Sequence, residues 1–138
     1  MKTLYTAVSS AHGGRDGHVR SSDGIVDLDL KTPKEMGGPG GAGTNPEQLF
    51  AAGYAACFES AMRVVARKQK LALADVTVTG HVSFNVTEQG KYVLSAELHG
   101  KVDGISHEEA EALMRAAHEV CPYSNATRGN IEVKLVAE

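Results

Sequence analysis

The chain lacks most of the features that would place it in a large functional class. It has two cysteines in 138 residues, Cys57 and Cys121, too few for a disulfide framework. It has no block of lysine or arginine, and its formal net charge is −3. Tracking a phosphate backbone needs clustered cations, so no nucleic-acid partner is expected. The start, Met1-Lys2-Thr3-Leu4-Tyr5, has no apolar run of the signal-peptide kind. The longest apolar stretch is too short to span a bilayer. A cytoplasmic location without a membrane partner is expected. No Gly-Lys-Ser/Thr is present for a phosphate loop, and no His-x-x-x-His or Cys-x-x-Cys for a metal. In a reducing compartment, two such cysteines are reactive or simply buried rather than a structural crosslink.

What is present is ordinary in amount: 42% of residues are hydrophobic, as in a globular domain. One domain, residues 1–138, is expected. The chain is organised around a helix expected from about Asn45 to Gln69. Asn45 before Pro46 reads as an N-cap before a first-turn proline. Thr44 with Glu47 fits a capping box one residue out of register with that reading. From Leu49 to Phe58 no side chain is charged. A helix apolar all round lies inside something, so this one is expected to be buried, with Cys57 in its middle. Covering it against its own copy in a homodimer would supply the burial.

Around it, strands are expected over Leu4–Ser10, Val19–Ser22 and Ile25–Leu30. Glycine-rich turns at residues 12–17 and 22–24 separate them. Residues 33–43 form a Gly/Pro loop. Val76 to Val86 alternates apolar and polar, turns at Glu88-Gln89-Gly90, and returns over Lys91–His99 as a hairpin. Ser106-His107-Glu108-Glu109 is a capping box. Ala110, Leu113, Met114, Ala117 and Cys121 then recur at helical steps until Pro122. A loop, Tyr123 to Gly129, leads to a last strand from Ile131. The order is βββ-α-ββ-α-β, an α+β fold with mainly antiparallel sheets.

Three constellations carry possible chemistry. Gly38-Pro39-Gly40-Gly41-Ala42-Gly43 spells G-x-G-x-x-G, but no βαβ unit surrounds it, so it reads as a loop over the helix start. His118 and Cys121 share a helix face and Cys57 could join them, yet no fourth ligand is evident and no metal is expected. The thiols have two readings: small buried hydrophobes, or a pair closing a reversible disulfide. Cys-Pro-Tyr-Ser-Asn is a polar, turn-rich setting, a poor one for an inert Cys121. Apolar surroundings raise a thiol's pKa, so a reactive Cys57 needs a nearby cation. Arg15 is one candidate, with Glu47 holding it through paired hydrogen bonds. On the other reading Arg15 is a solvated turn residue and Glu47 only caps.

Thr44-Asn45-Pro46-Glu47-Gln48-Leu49-Phe50-Ala51-Ala52-Gly53-Tyr54 leading to Cys57, and Cys121-Pro122-Tyr123-Ser124-Asn125-Ala126-Thr127-Arg128-Gly129-Asn130, resemble the two signatures of the organic hydroperoxide resistance branch of the OsmC/Ohr superfamily. Gly13-Gly14-Arg15-Asp16-Gly17 and Gly37-Gly38-Pro39-Gly40-Gly41 match as well. The resemblance implies a thiol peroxidase for alkyl and fatty-acid hydroperoxides, built as an intertwined homodimer. It implies Cys57 as peroxidatic and Cys121 as resolving cysteine, Arg15 as the residue that activates the thiolate, and Glu47 as the residue that orients Arg15. It implies no bound cofactor; the reductant would be a lipoylated protein or free dihydrolipoamide. Phe50, Tyr54 and Met36 are candidates to shape a pocket for the alkyl tail. Glu47 and Cys57 lie ten residues apart, about 15 Å along one helix. Arg15 held by Glu47 would therefore serve Cys57 of the partner, in composite sites. The alternative of another class is a non-catalytic OsmC-type binding or redox-sensing domain.

Overall fold

The computed structural model describes all 138 residues. The chain falls into two compact units, Met1–Leu49 and Phe50–Glu138.

In the first unit, β1 (Ser9–His12), β2 (His18–Ser21) and β3 (Asp27–Asp29) form an antiparallel sheet in that order. A single 3-10 turn, Gly14–Asp16, joins β1 to β2 and carries Arg15. Its tightness depends on glycine: Gly13 has φ +80°, and a Cβ on Gly17 would lie 1.8 Å from the His12 carbonyl oxygen. The Asp16 carboxylate fastens the turn by accepting from the Thr32 N–H at 3.0 Å and its hydroxyl at 3.2 Å. The first strand is shorter than the expected Leu4–Ser10. Its ladder ends at Ser9 opposite Ser21, because β2 stops there. Only Val8 adds one bond beyond it, its carbonyl accepting from the Ser22 N–H. Leu4 and Tyr5 stand exposed.

The central helix α1 (Pro46–Lys68) begins in this unit and continues as the first element of the next. Asn45 Oδ1 accepts from the Gln48 N–H at 2.8 Å, so Asn45 is the cap. The Thr44 hydroxyl donates instead to Gln48 Oε1 at 2.9 Å. Glu47 is thereby left to interact elsewhere.

In the second unit, β4 (Asp75–Val86) and β5 (Tyr92–Asp103) make a twelve-residue antiparallel ladder. The last strand β6 (Val133–Ala137) adds in parallel to β5. Helix α2 (His107–Val120) opens on the Ser106/Glu109 capping box, with bonds of 3.1 and 3.0 Å. The segment expected as a loop contains a further short helix, α3 (Pro122–Thr127). Pro122 cannot continue α2, but its fixed φ suits the first position of a new helix. Phe58, Met62, Leu98, Leu113 and Met114 are fully enclosed in one apolar cluster with the buried face of α1.

Within a single chain the apolar run of α1 is not covered on all sides. Tyr54 and Phe58 are buried, while Ala52, Ala56 and Ser60, one turn apart, are open to solvent. By length and composition α1 could cross a bilayer, a test that the core helix of a soluble protein also passes.

Candidate active site

The two cysteines meet. Cys57, half-buried on α1, and Cys121, fully buried between α2 and α3, are free thiols with sulfurs 3.6 Å apart. A disulfide needs about 2.05 Å, so the sulfurs are in van der Waals contact but not bonded. Burial pushes the Cys57 thiol up from its ordinary range, and the neighbouring Cys121 adds to this. The Tyr123 backbone N–H, in the first turn of α3, opposes the rise by hydrogen bonding to Cys57.

In the other unit, Arg15 and Glu47 form a two-pronged ion pair. Nη1 donates to Oε2 at 2.8 Å and Nη2 to Oε1 at 2.7 Å. The Arg15 hydrogen bonds hold the Glu47 carboxyl below its usual range against the cost of burial. The same bonds raise Arg15, so the guanidinium is a permanent cation presented from a fixed point.

A cavity of about 720 Å³ opens in the second unit, with Phe50, Tyr92, Leu94, Tyr123 and Ile131 giving apolar walls and Lys91 a single cation. Two of its lining residues, Pro122 and Tyr123, follow Cys121 directly, and the Tyr123 amide is the one that reaches Cys57. The Tyr123 ring lies over α1 at Gly53, where an added Cβ would come within 2.7 Å of its hydroxyl oxygen.

Of the expected pocket residues, Phe50 lines this cavity. Tyr54 does not. It is fully enclosed, its ring edge-on to Phe50 with centroids 6.0 Å apart. Its hydroxyl contacts Ser124 Oγ at 2.9 Å and Thr127 Oγ1 at 3.0 Å. Met36 sits on a short turn, Lys34–Met36, in the first unit, about a third exposed. The apolar wall residues that sequence reading missed are Tyr92, Leu94, Tyr123 and Ile131. They come from a strand, a short helix and a loop, and no sequence spacing links them. His118 contacts Ser124 Oγ through Nδ1 at 2.7 Å, and burial, helped by Arg128, lowers its pKa. No group of three or more His, Cys, Asp or Glu side chains converges with metal-binding geometry.

Residues 38–136 match the family model for OsmC-like protein. The chain is 52% identical over 135 residues to the organic hydroperoxide resistance protein of Xanthomonas axonopodis pv. citri (strain 306), covering 97% of this chain and 94% of that one. Its fold is similar to the crystal structure of an organic hydroperoxide resistance protein from Legionella pneumophila, at 58% identity and a TM-score of 0.94 over 99% of both chains. It is also similar to the organic hydroperoxide resistance protein OhrB of Bacillus subtilis, at 45% identity and a TM-score of 0.90, covering 99% of this chain and all of that one.

Proposed function

The chain belongs to the OsmC-like family, in the branch of organic hydroperoxide resistance proteins, and on that premise we propose that it is a cysteine peroxidase reducing organic hydroperoxides to alcohols. The observation that carries this reading is the pair of free thiols 3.6 Å apart beside an apolar cavity. The Cys57 thiolate attacks the terminal oxygen of R–O–O–H and the O–O bond breaks. The alkoxide takes a proton and leaves as the alcohol, and Cys57 becomes a sulfenic acid. Cys121 then attacks that sulfur, hydroxide departs as water, and a Cys57–Cys121 disulfide forms. A lipoyl dithiol, free or on a lipoylated protein, reopens it by exchange and is itself oxidised to a disulfide. No metal, flavin or haem enters the scheme.

The raised thiol sets the electrostatic requirement. A cation must favour the thiolate and stabilise charge developing on the leaving oxygen. Arg15, oriented by Glu47, is assigned that role in a composite site of a homodimer. Glu47 and Cys57 are ten positions apart on α1, about 15 Å along the axis. Antiparallel packing of two α1 helices around Ala52 would set Glu47 of each chain beside Cys57 of its partner. The open small side chains at Ala52 and Ala56 support such an approach. So does the excess of exposed large hydrophobics before residue 49, including Leu4, Tyr5 and Ile25. Mixed dimers of Cys57→Ser and Glu47→Ala subunits should recover activity that neither parent dimer has; no recovery would remove the composite site. Loss of the thiolate on disulfide formation would release the Arg15 turn, so protease cleavage there should rise on oxidation.

The cavity supports preference for alkyl over hydrogen peroxide, since each buried CH₂ contributes about 0.8 kcal/mol. The first experiment is a thiol count with intact mass. One equivalent of tert-butyl hydroperoxide should consume both thiols and two mass units within seconds, faster than hydrogen peroxide does. Two intact thiols after minutes would leave the binding or sensing alternative.

A further inference from the structure

The proposed cycle uses the thiols, the Arg15–Glu47 pair and the cavity, and leaves unused a chain of buried hydroxyls behind Cys121. Tyr54 and Ser124 are fully enclosed and Thr127 is 5% exposed. They come from α1 and α3, and His118 of α2 joins them. The Tyr54 hydroxyl hydrogen-bonds both Ser124 Oγ and Thr127 Oγ1, and Ser124 Oγ also meets His118 Nδ1. The Thr127 hydroxyl donates to the Ser124 carbonyl oxygen at 3.2 Å, so the circuit closes on the backbone of α3. No buried side-chain nitrogen or oxygen is left without a partner.

This circuit pins three helices at the point where Cys121 sits. Cys121 is the last cap of α2 and the first cap of α3, so its backbone moves with both. Arg128 braces the junction from outside, donating to the His118 carbonyl oxygen and, at 2.9 Å, to Asn125 Oδ1. Tyr123, the residue before Ser124, supplies the amide that hydrogen-bonds Cys57. A shift of α3 would carry Cys121 and that amide away from Cys57 together.

We propose that Tyr54 is a positioning residue, its hydroxyl acting through Ser124 and Thr127 to lock α3 so that Cys121 and the Tyr123 amide stay on Cys57. The inference rests on the peroxidase reading for its purpose. It makes a prediction that needs no peroxide, because the tendency of the two thiols to close depends on how well they are held. Tyr54→Phe keeps the ring and removes one oxygen. In a glutathione redox buffer the Cys57–Cys121 equilibrium of this variant should shift toward the dithiol by about five- to tenfold, the scale of one buried hydrogen bond. Ser124→Ala breaks the circuit at its hub and should shift it at least as far. Thr127→Ser, which keeps the hydroxyl, should match wild type, and Thr127→Val should not. With excess tert-butyl hydroperoxide, Tyr54→Phe should divert Cys57 to sulfinic acid at the expense of the disulfide.

Thermal melting identifies folded variants, and if Tyr54→Phe does not fold, Ser124→Ala and Thr127→Val decide the matter. A folded Tyr54→Phe protein with the wild-type equilibrium overturns the proposal. A wild-type protein inert to peroxide overturns the peroxidase reading instead, and the glutathione measurement still decides whether the hydroxyl circuit holds the thiols.

Discussion

The two units of the chain solve different problems. In Met1–Leu49 one large side chain, Leu30, is out of water, and seven of the thirteen exposed large hydrophobics lie there. Its strands are three or four residues long. In Phe50–Glu138, fifteen buried residues form one cluster beneath a hairpin of two twelve-residue strands. The cation is in the first unit and the thiols in the second. A guanidinium stays charged in any setting and needs only a fastening, which Glu47 provides. A thiol pair needs a fixed separation and shelter, which only a close-packed interior supplies. A core-poor unit of short strands needs outside cover, which is consistent with pairing between two copies.

The comparison predicts a ranking of damage. Cys57→Ser should lower hydroperoxide consumption on the order of 10³-fold or more with melting unchanged, because the remaining thiol, Cys121, is fully buried; peroxide depletion by a colorimetric assay checks it. Arg15→Ala, in the core-poor unit, should cost about 10²-fold in kcat/KM by stopped-flow mixing, comparable to removing one preorganised charge-stabilising donor. An unchanged rate would separate the two units functionally and break the comparison. Gly53→Ala, in the packed unit, should cost about 1–3 kcal/mol in urea unfolding, since its Cβ must displace the Tyr123 ring.

Smaller effects come from pH. Glu47 has a folded pKa below its usual 4.5 because of Arg15. Its pairing therefore contributes stability above that pH and loses it as pH falls through the lower folded value. Glu47→Gln should flatten the acid limb of a melting-temperature profile. His18 runs the other way. Asp29 first, then Asp27, raise it above 6.5, so its contribution is complete below pH 6.5 and lost as pH rises through the raised value. The cluster is exposed, and salt should erase this last effect.

Much of this was legible in the residues. Asn45-Pro46 marked the start of α1, Ser106 and Glu109 that of α2, and alternation marked the long hairpin. Where legibility failed, the cause was a partner distant in sequence. The length of β1 is set by where β2 ends, not by its own alternation. Helix α3 has Ser, Asn and Thr, which favour caps and turns by themselves, and it is held by the Tyr54 hydroxyl of α1 and the His118 ring of α2. Tyr54 reads as one apolar ring among others on an all-apolar helix, suited to a pocket, and the sequence cannot show that Ser124 and Thr127 meet its oxygen seventy or more residues later. The cavity walls are unreadable for the same reason.

Cys121 stands alone between two helices, in an extended backbone at φ −66° and ψ 124°. Its N–H is spent on Ala117 and its carbonyl on Asn125, at 2.9 Å each. The backbone is thus fixed on both sides of the junction, and only the Cys121 side chain is left to turn. Closing the disulfide by turning this side chain would leave the helical hydrogen bonds on either side in place. Amide exchange across α2 and α3 should therefore be the same in both redox states, and repeated turnover should leave no accumulated wear in the fold.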